Sequence, residues 1–459
     1  MKRSLILTLC LSVLTAFFIT AGAPVETFAQ EGANQKKTSG DTKKYREESL
    51  RLLDEIKSTL KKYYYDPKYR GIDIDARFEA ARTRIKSLEY NWQMYRVLVQ
   101  VLMDFNDSHT SFRMPSRTDF FDYGFATQMF GDQCFVISVK KDSDAEKKGL
   151  QVGDQVLSFG KFAPSRGNLW KIMYVLYRLD PSDTVELKLA KLDGTEQALS
   201  IKAKTQTQKE RREELKKRKT KEKFEPFVCR EVNAEIIACR LNTFSTDKGQ
   251  IDKMMKQVGA HKKLVLDLRG NGGGYVDTEV HLISYFFDRD VKVADLITRE
   301  KTETRFAKSR GDKTYKGEVV VLVDSRSASA AEMTARVLQL EKRAKVVGDI
   351  SSGAVMTSIY VPLFSSASAF ADIVLSSVGM SVTIADVVMK DGSRLENVGV
   401  IPDVPIIPNG LALSKKVDPV LSYAASMFGA ELTPEKAGEF HFITKKEDDG
   451  DLNDEDEDK

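Results

Sequence analysis

Val319–Leu340 reads VVVLVDSRSASAAEMTARVLQL, and its two halves call for different structures. Val319–Val323 is an unbroken run of branched apolar residues, the composition of a strand covered on both faces. From Ala330 onward the apolar residues recur at helical spacing among good helix formers. Ser329 therefore stands at a strand-to-helix turn. A helix N-terminus leaves N–H groups unpaired and partially positive, which favours an alkoxide at Ser329 and, through the Ala330 N–H, an oxyanion. Serine in this position also serves as a simple helix cap. Acting as a nucleophile, it needs a base within hydrogen-bond reach, because a free hydroxyl is too weakly acidic to attack a carbonyl.

On either side of this stretch, EIIACRLNTF, KLVLDLRGNGGGY, EVHLISYFF and KVVGD alternate short strands with helical segments over residues 226–440. That pattern predicts an α/β unit with a largely parallel sheet, in which chemistry collects at strand C-termini. LDLRGNGGGYV at 266–276 ends one such strand in a glycine turn. Gly272 and Gly273 there suit either oxyanion donors or a merely permissive loop. No GK[ST] follows, which argues against a phosphate loop.

Upstream, residues 46–117 carry apolar residues at helical spacing, in SLRLLDEIKSTLKKYYY and WQMYRVLVQVLMDF, and then the polar loop NDSHTSFRMP. Residues 118–205 read as short strands and turns, closed by a hairpin at Asp193-Gly194. Residues 206–225 form a basic linker read as a solvated helix, and residues 441–459 an acidic disordered tail. The basic block lacks interleaved aromatics, so no nucleic-acid partner is expected. Residues 1–29 have a basic start, an apolar run and small residues up to Ala29. They predict a secretory signal peptide, export to a periplasmic or extracellular space, and no stable membrane span after cleavage. A flexible leader follows at 30–45. Cys134, Cys229 and Cys239 then remain in a compartment that permits disulfides, and whether Cys229 and Cys239 face each other is open. No CxxC or histidine-rich cluster suggests a metal, and no cofactor is expected.

GLQVGDQVLSFG at 149–160 and its surroundings resemble a bacterial PDZ domain. The resemblance implies that Tyr123, Gly124, Phe125 and Ala126 bind a peptide's C-terminal carboxylate through backbone donors. The succession of helical unit, PDZ domain, DLRGNGGG turn and SASAAE helix resembles the C-terminal processing, or tail-specific, serine protease family. By that resemblance the architecture is an α/β protease core, with helices on a parallel-rich sheet, plus an N-terminal helical unit and an inserted β-rich PDZ domain. Ser329 becomes the nucleophile. One branch of the family pairs serine with lysine, but that lysine's position is Ala354 here, and the position of its acidic companion falls near Leu340. A histidine-using, tricorn-like branch fits instead, with NDSHTSF supplying His109 as base. Ser108 and Glu396, the latter in DGSRLENVGVIPDVPI, would orient it. Gly272, Gly273 and Ala330 would form the oxyanion site. The reading that follows is an exported serine endopeptidase acting on polypeptides with exposed C-termini, by acyl-enzyme chemistry. The alternative is an inactive protein on the same fold that binds peptides or apolar ligands.

Overall fold

The computed structural model describes residues 42–113, 119–221, 224–363 and 378–440. The expected signal peptide and acidic tail, with most of the leader, lie outside these residues, as does His441. No described helix is long and apolar enough to cross a membrane.

Helices α1 (Thr42–Tyr63), α2 (Ile74–Lys86) and α3 (Asn91–Met103) pack around Leu52, Leu53, Ile56, Leu60, Phe78 and Leu98. Within α1, Leu52, Leu53, Ile56 and Leu60 recur at helical spacing and share one stripe. Helix α1 begins inside the span expected to be leader, because Tyr45 already packs on this core. The chain then passes through the histidine loop into the short strand β1 (Ser111–Arg113).

The next unit holds β2 (Asp119–Asp122), β3 (Phe125–Phe130), β4 (Gln133–Val139), α4 (Asp144–Lys147), β5 (Gln155–Phe159) and α5 (Leu169–Tyr174). It closes with β6 (Thr184–Ala190), β7 (Glu196–Lys202) and β8 (Lys204–Thr207). Strands β3 to β7 form an antiparallel sheet in chain order, and β2 pairs with β8 where the chain enters and leaves. Residues of β6 alternate exposed and buried, as expected of a sheet with one face on its core. The basic stretch is helix α6 (Gln208–Lys221).

The remaining chain gives β9 (Phe227–Asn233), β10 (Ile236–Leu241), α7 (Lys248–Val258), β11 (Lys263–Asp267), α8 (Val276–Ser284), β12 (Val291–Thr298) and β13 (Thr302–Ala307). It continues through β14 (Glu318–Val323), α9 (Ala330–Leu340), β15 (Lys345–Gly348), β16 (Thr357–Pro362), β17 (Gly379–Val388), β18 (Val404–Pro405), α10 (Gly410–Ser414) and α11 (Pro419–Met427). The central sheet runs β18-β15-β14-β11-β10-β9 and is parallel except for the edge strand β9. Apolar side chains of α7, α8 and α9 cover one face and those of α11 the other, so every residue of β10 is buried. This explains why the strand sequences are continuous apolar runs rather than alternating ones. Cys239 lies opposite Cys229 in the β9–β10 ladder, and the two form a disulfide.

A second sheet has the order β1-β17-β12-β13, with β16 also on β17. Ser111 pairs with Ser381 and Phe112 with Met380. One strand of the helical unit is thereby sewn into a sheet made by the C-terminal half of the chain.

Candidate active site

Four neighbouring strands of the central sheet, β10, β11, β14 and β15, end at the same edge, and the loops that follow them meet there. Gly270 N–H donates to Asp324 Oδ1 at 2.9 Å, Ser327 Oγ to the Leu268 carbonyl at 2.8 Å, and Ala328 N–H to the Asn271 carbonyl at 2.9 Å. These bonds tie the glycine turn to the serine turn. Behind them, buried Arg269 forks onto both carboxylate oxygens of Asp267 and of Asp418, at 2.7 to 2.9 Å. Asp418 also caps α11. The strand end is therefore bolted to a helix on the far face of the sheet.

Ser329 is half-buried and has φ 53°, ψ −120°, a backbone that an L-residue adopts only when its surroundings over-determine it. Its N–H is shared between the Ala354 carbonyl, at 2.9 Å, and Glu332 Oε2, at 3.0 Å. Gly273, at φ 98°, lies against this turn: a Cβ there would fall 2.7 Å from Ser329 Cβ and 3.2 Å from the Ala330 nitrogen. Any side chain would crowd the Ser329 turn. The Gly273 N–H donates to Asn271 Oδ1 at 2.8 Å. It is thus already committed, whereas no hydrogen bond engages the Gly272 or Ala330 N–H among the described residues.

His109 stands between α3 and β1. Its Nδ1 is 2.6 Å from Ser108 Oγ, which is 2.9 Å from Glu396 Oε2. The Ser108 N–H donates to Glu396 Oε1 at 2.7 Å, and the Val355 N–H to Oε2 at 3.1 Å. A hydroxyl has one proton, and a carboxylate accepts only. Ser108 therefore donates to Glu396 and accepts from Nδ1–H, which leaves Nε2 as the basic nitrogen. Burial holds the His109 pKa below its usual 6.5, against a smaller opposing effect of the Asp107 charge. Burial likewise raises the Glu396 carboxyl, with the Ser108 and Val355 donors pulling it down. No hydrogen bond joins His109 to Ser329 among the described residues. The link between them is the segment Ala354-Val355, which takes the Ser329 N–H at one residue and gives its own N–H to Glu396 at the next.

The loop Tyr123–Ala126 has spent much of its hydrogen-bonding capacity. The Gly124 N–H donates to Asp122 Oδ1 at 2.9 Å, the Gly124 carbonyl accepts from Lys140 N–H at 2.7 Å, and Tyr123 Oη donates to the Ser182 carbonyl at 2.8 Å. Tyr123 and Phe125 are packed in the β-unit core, and Ala126 is half-buried. On the edge strand β3 beyond it, Ser325 Oγ donates to the Met129 carbonyl at 2.5 Å and Arg326 Nη2 to the Thr127 carbonyl at 3.0 Å. Residues just ahead of the serine turn thus occupy the open edge of the β-unit.

Residue reading alone passed over Glu332, Asn271 and Asp107. Glu332 gave a signal, a glutamate three residues into a helix behind a serine. Asn271 and Asp107 gave none: besides N–H groups two or three residues on, Asn271 donates to the Leu241 carbonyl and Asp107 accepts from Tyr64 Oη and Thr383 Oγ1, partners in distant segments.

Residues 236–406 match the description Peptidase family S41, and residues 122–203 the description PDZ domain. A probable CtpA-like serine protease of Staphylococcus haemolyticus is 28% identical over 350 residues, covering 75% of this chain and 63% of that protein. A carboxy-terminal-processing protease of Bartonella bacilliformis is 26% identical over 166 residues, 36% of each chain. This chain therefore spans less than two thirds of the length of these relatives. Among solved structures, mature CPAF complexed with lactacystin superposes with a TM-score of 0.63 at 14% identity, covering 87% of this chain and 99% of that one. The photosystem II D1 C-terminal processing protease superposes with a TM-score of 0.52 at 20% identity, covering 84% and 99%. Residues 236–406 are thus similar to peptidase family S41 and residues 122–203 to PDZ domains, and the chain resembles carboxy-terminal-processing serine proteases over these spans.

Proposed function

We propose that this protein is an exported serine endopeptidase that recognises the C-terminal tails of polypeptides through its PDZ domain and cleaves them with Ser329 as nucleophile and His109 as base. The observation that carries the reading is the bonded line Glu396–Ser108–His109, which leaves Nε2 unprotonated and reaches the Ser329 turn through Val355 and Ala354. Ser329 Oγ attacks the scissile carbonyl while its proton passes to His109 Nε2. The carbonyl oxygen, now negative, takes the Gly272 and Ala330 N–H groups. The imidazolium is stabilised through Ser108 by Glu396 and returns the proton to the departing amine, leaving an ester on Ser329. Water then attacks the ester with His109 again as base.

Tail recognition enters by addition of a peptide strand to the open edge of β3, with its carboxylate at Tyr123–Ala126. Such a strand must displace Ser325 and Arg326 from the Met129 and Thr127 carbonyls. Tail binding and the serine turn are then coupled, and closing of the His109–Ser329 gap belongs to the tail-bound state. Export rests on residues 1–29, read as a signal peptide.

The test is labelling of the full chain by a fluorophosphonate probe, in wild type, Ser329→Ala and His109→Ala, with and without an apolar C-terminal peptide. Label lost in both variants is expected. The acid limb of the wild-type labelling rate should fall below pH 6.5, because the neutral imidazole is the active form and its pKa is depressed. Wild type that stays unlabelled even with the peptide present would replace this reading by that of a binding protein on the same fold.

A further inference from the structure

Glu332 plays no part in the proton transfer just described, yet it is the hub of the serine turn. It is fully buried in the first turn of α9. Oε1 accepts from Ser351 Oγ at 2.6 Å and Gly353 N–H at 2.7 Å, and Oε2 accepts from Ala354 N–H at 2.9 Å and Ser329 N–H at 3.0 Å. These donors belong to two segments, the serine turn and the loop 351–354. On its other side the same loop is held by the glutamate segment: Asn397 N–H donates to the Gly353 carbonyl at 2.7 Å, and Val400 N–H to Ser351 Oγ at 2.6 Å. Val355 N–H, one residue on, reaches Glu396.

We propose that Glu332 is a positioning residue: its ionised carboxylate holds the Ser329 backbone and the loop that seats Glu396 at one separation, and so sets the gap across which Ser329 hands its proton to His109. The proposal rests on the reading of Ser329 and His109 as nucleophile and base. From α9, from the serine turn and from loop 351–354, the groups facing the carboxylate are backbone amides and one hydroxyl. No ion pair reaches it among the described residues, and the next ionisable group along the path is Glu396. Burial without a cation raises its pKa to about 7, with the Ser351, Ala354, Gly353 and Ser329 donors pulling it down. A protonated carboxyl must fit its own hydrogen among those already converging on it, so at least one of the bonds is lost. The latch is therefore closed above this pH and loosened below it. Stability moves the other way. A pKa raised on folding stabilises most below the unfolded value of 4.5, and that contribution is lost as pH rises through about 7.

The test uses the full chain, with Glu332→Gln and Ser351→Ala. Amide hydrogen exchange at Ser329, Gly353 and Ala354 and the rate of fluorophosphonate labelling are followed across neutral pH. In wild type both exchange protection and labelling should gain with deprotonation near pH 7. In Glu332→Gln an amide nitrogen replaces one acceptor, so protection should be low at every pH. Labelling should fall about 100-fold, the cost of a misplacement near 1 Å, and keep only the histidine limb. Ser351→Ala removes one donor but keeps the carboxylate, and should move the limb to higher pH; it decides the matter where Glu332→Gln fails to fold. Wild-type protection and pH profile in Glu332→Gln, or an unmoved limb in Ser351→Ala, would overturn the proposal. Wild type that takes no label but shows the exchange limb sinks the peptidase reading and keeps the latch. Labelled wild type without that limb does the reverse.

Discussion

The turn that carries Ser329 and the loop that carries His109 are each built on a buried carboxylate that accepts four hydrogen bonds, Glu332 in one and Asp107 in the other. Their donors differ in origin. Those of Glu332 lie within 22 residues of it, on segments that belong to the central sheet. Asp107 takes the His109 and Thr110 N–H groups, then Tyr64 Oη from 43 residues upstream and Thr383 Oγ1 from 276 residues downstream. The serine turn is thus formed wherever the sheet is formed. The histidine loop needs the helical unit and β17 both in place, with the β1–β17 ladder setting its register.

The strongest way to break this contrast is Asp107→Asn, which turns an acceptor toward donors on three elements. Labelling of Ser329 should fall roughly 100- to 1,000-fold, as for loss of a general base. Amides of the serine turn should stay as protected from exchange as in wild type. Opening of those amides in this variant would show that the two halves are not separately held.

A smaller effect sharpens the contrast from the PDZ side. Arg326→Ala frees the Thr127 carbonyl on β3 without touching the Glu332 hub. An apolar C-terminal peptide should then bind about tenfold more tightly, the worth of a hydrogen bond to a charged group no longer broken on binding. Calorimetric titration measures this, and an unchanged affinity would detach tail binding from the β3 edge. The smallest expected effect on chemistry is that of the disulfide. Replacing Cys229 and Cys239 by serine should cost about 2–3 kcal/mol in denaturant unfolding, the entropy of a short closed loop, and leave the labelling rate within about twofold. A large fall in labelling would mean that edge strand β9 supports the site more directly than its place in the sheet suggests.

Legibility followed the same division. The strand, turn and helix around Ser329 were readable because burial on both faces of a parallel sheet writes an unbroken apolar run, and helical periodicity follows at once. The PDZ strands were readable from alternation and turn residues. The meeting of NDSHTSF with the Glu396 segment was not readable from any pattern. It came from resemblance, and the bond across 288 residues that joins Ser108 to Glu396 has no local signature. The carboxylate loop is the instructive case. Gly124 suggests free backbone donors, yet Asp122 takes its N–H, a use that only the folded turn reveals.

By itself the sequence determined the element types, the α/β core, the inserted PDZ unit and the serine at a strand-to-helix turn. These depend on periodicity, on covalent neighbours and on which residues tolerate burial. The tertiary structure alone decided which carboxylate faces which donor, that Nε2 of His109 is its basic nitrogen, and that the PDZ edge is closed by the serine loop. Each of these depends on hydrogen bonds between segments far apart in the chain, and a hydrogen bond is fixed by distance and direction in the folded state, not by composition.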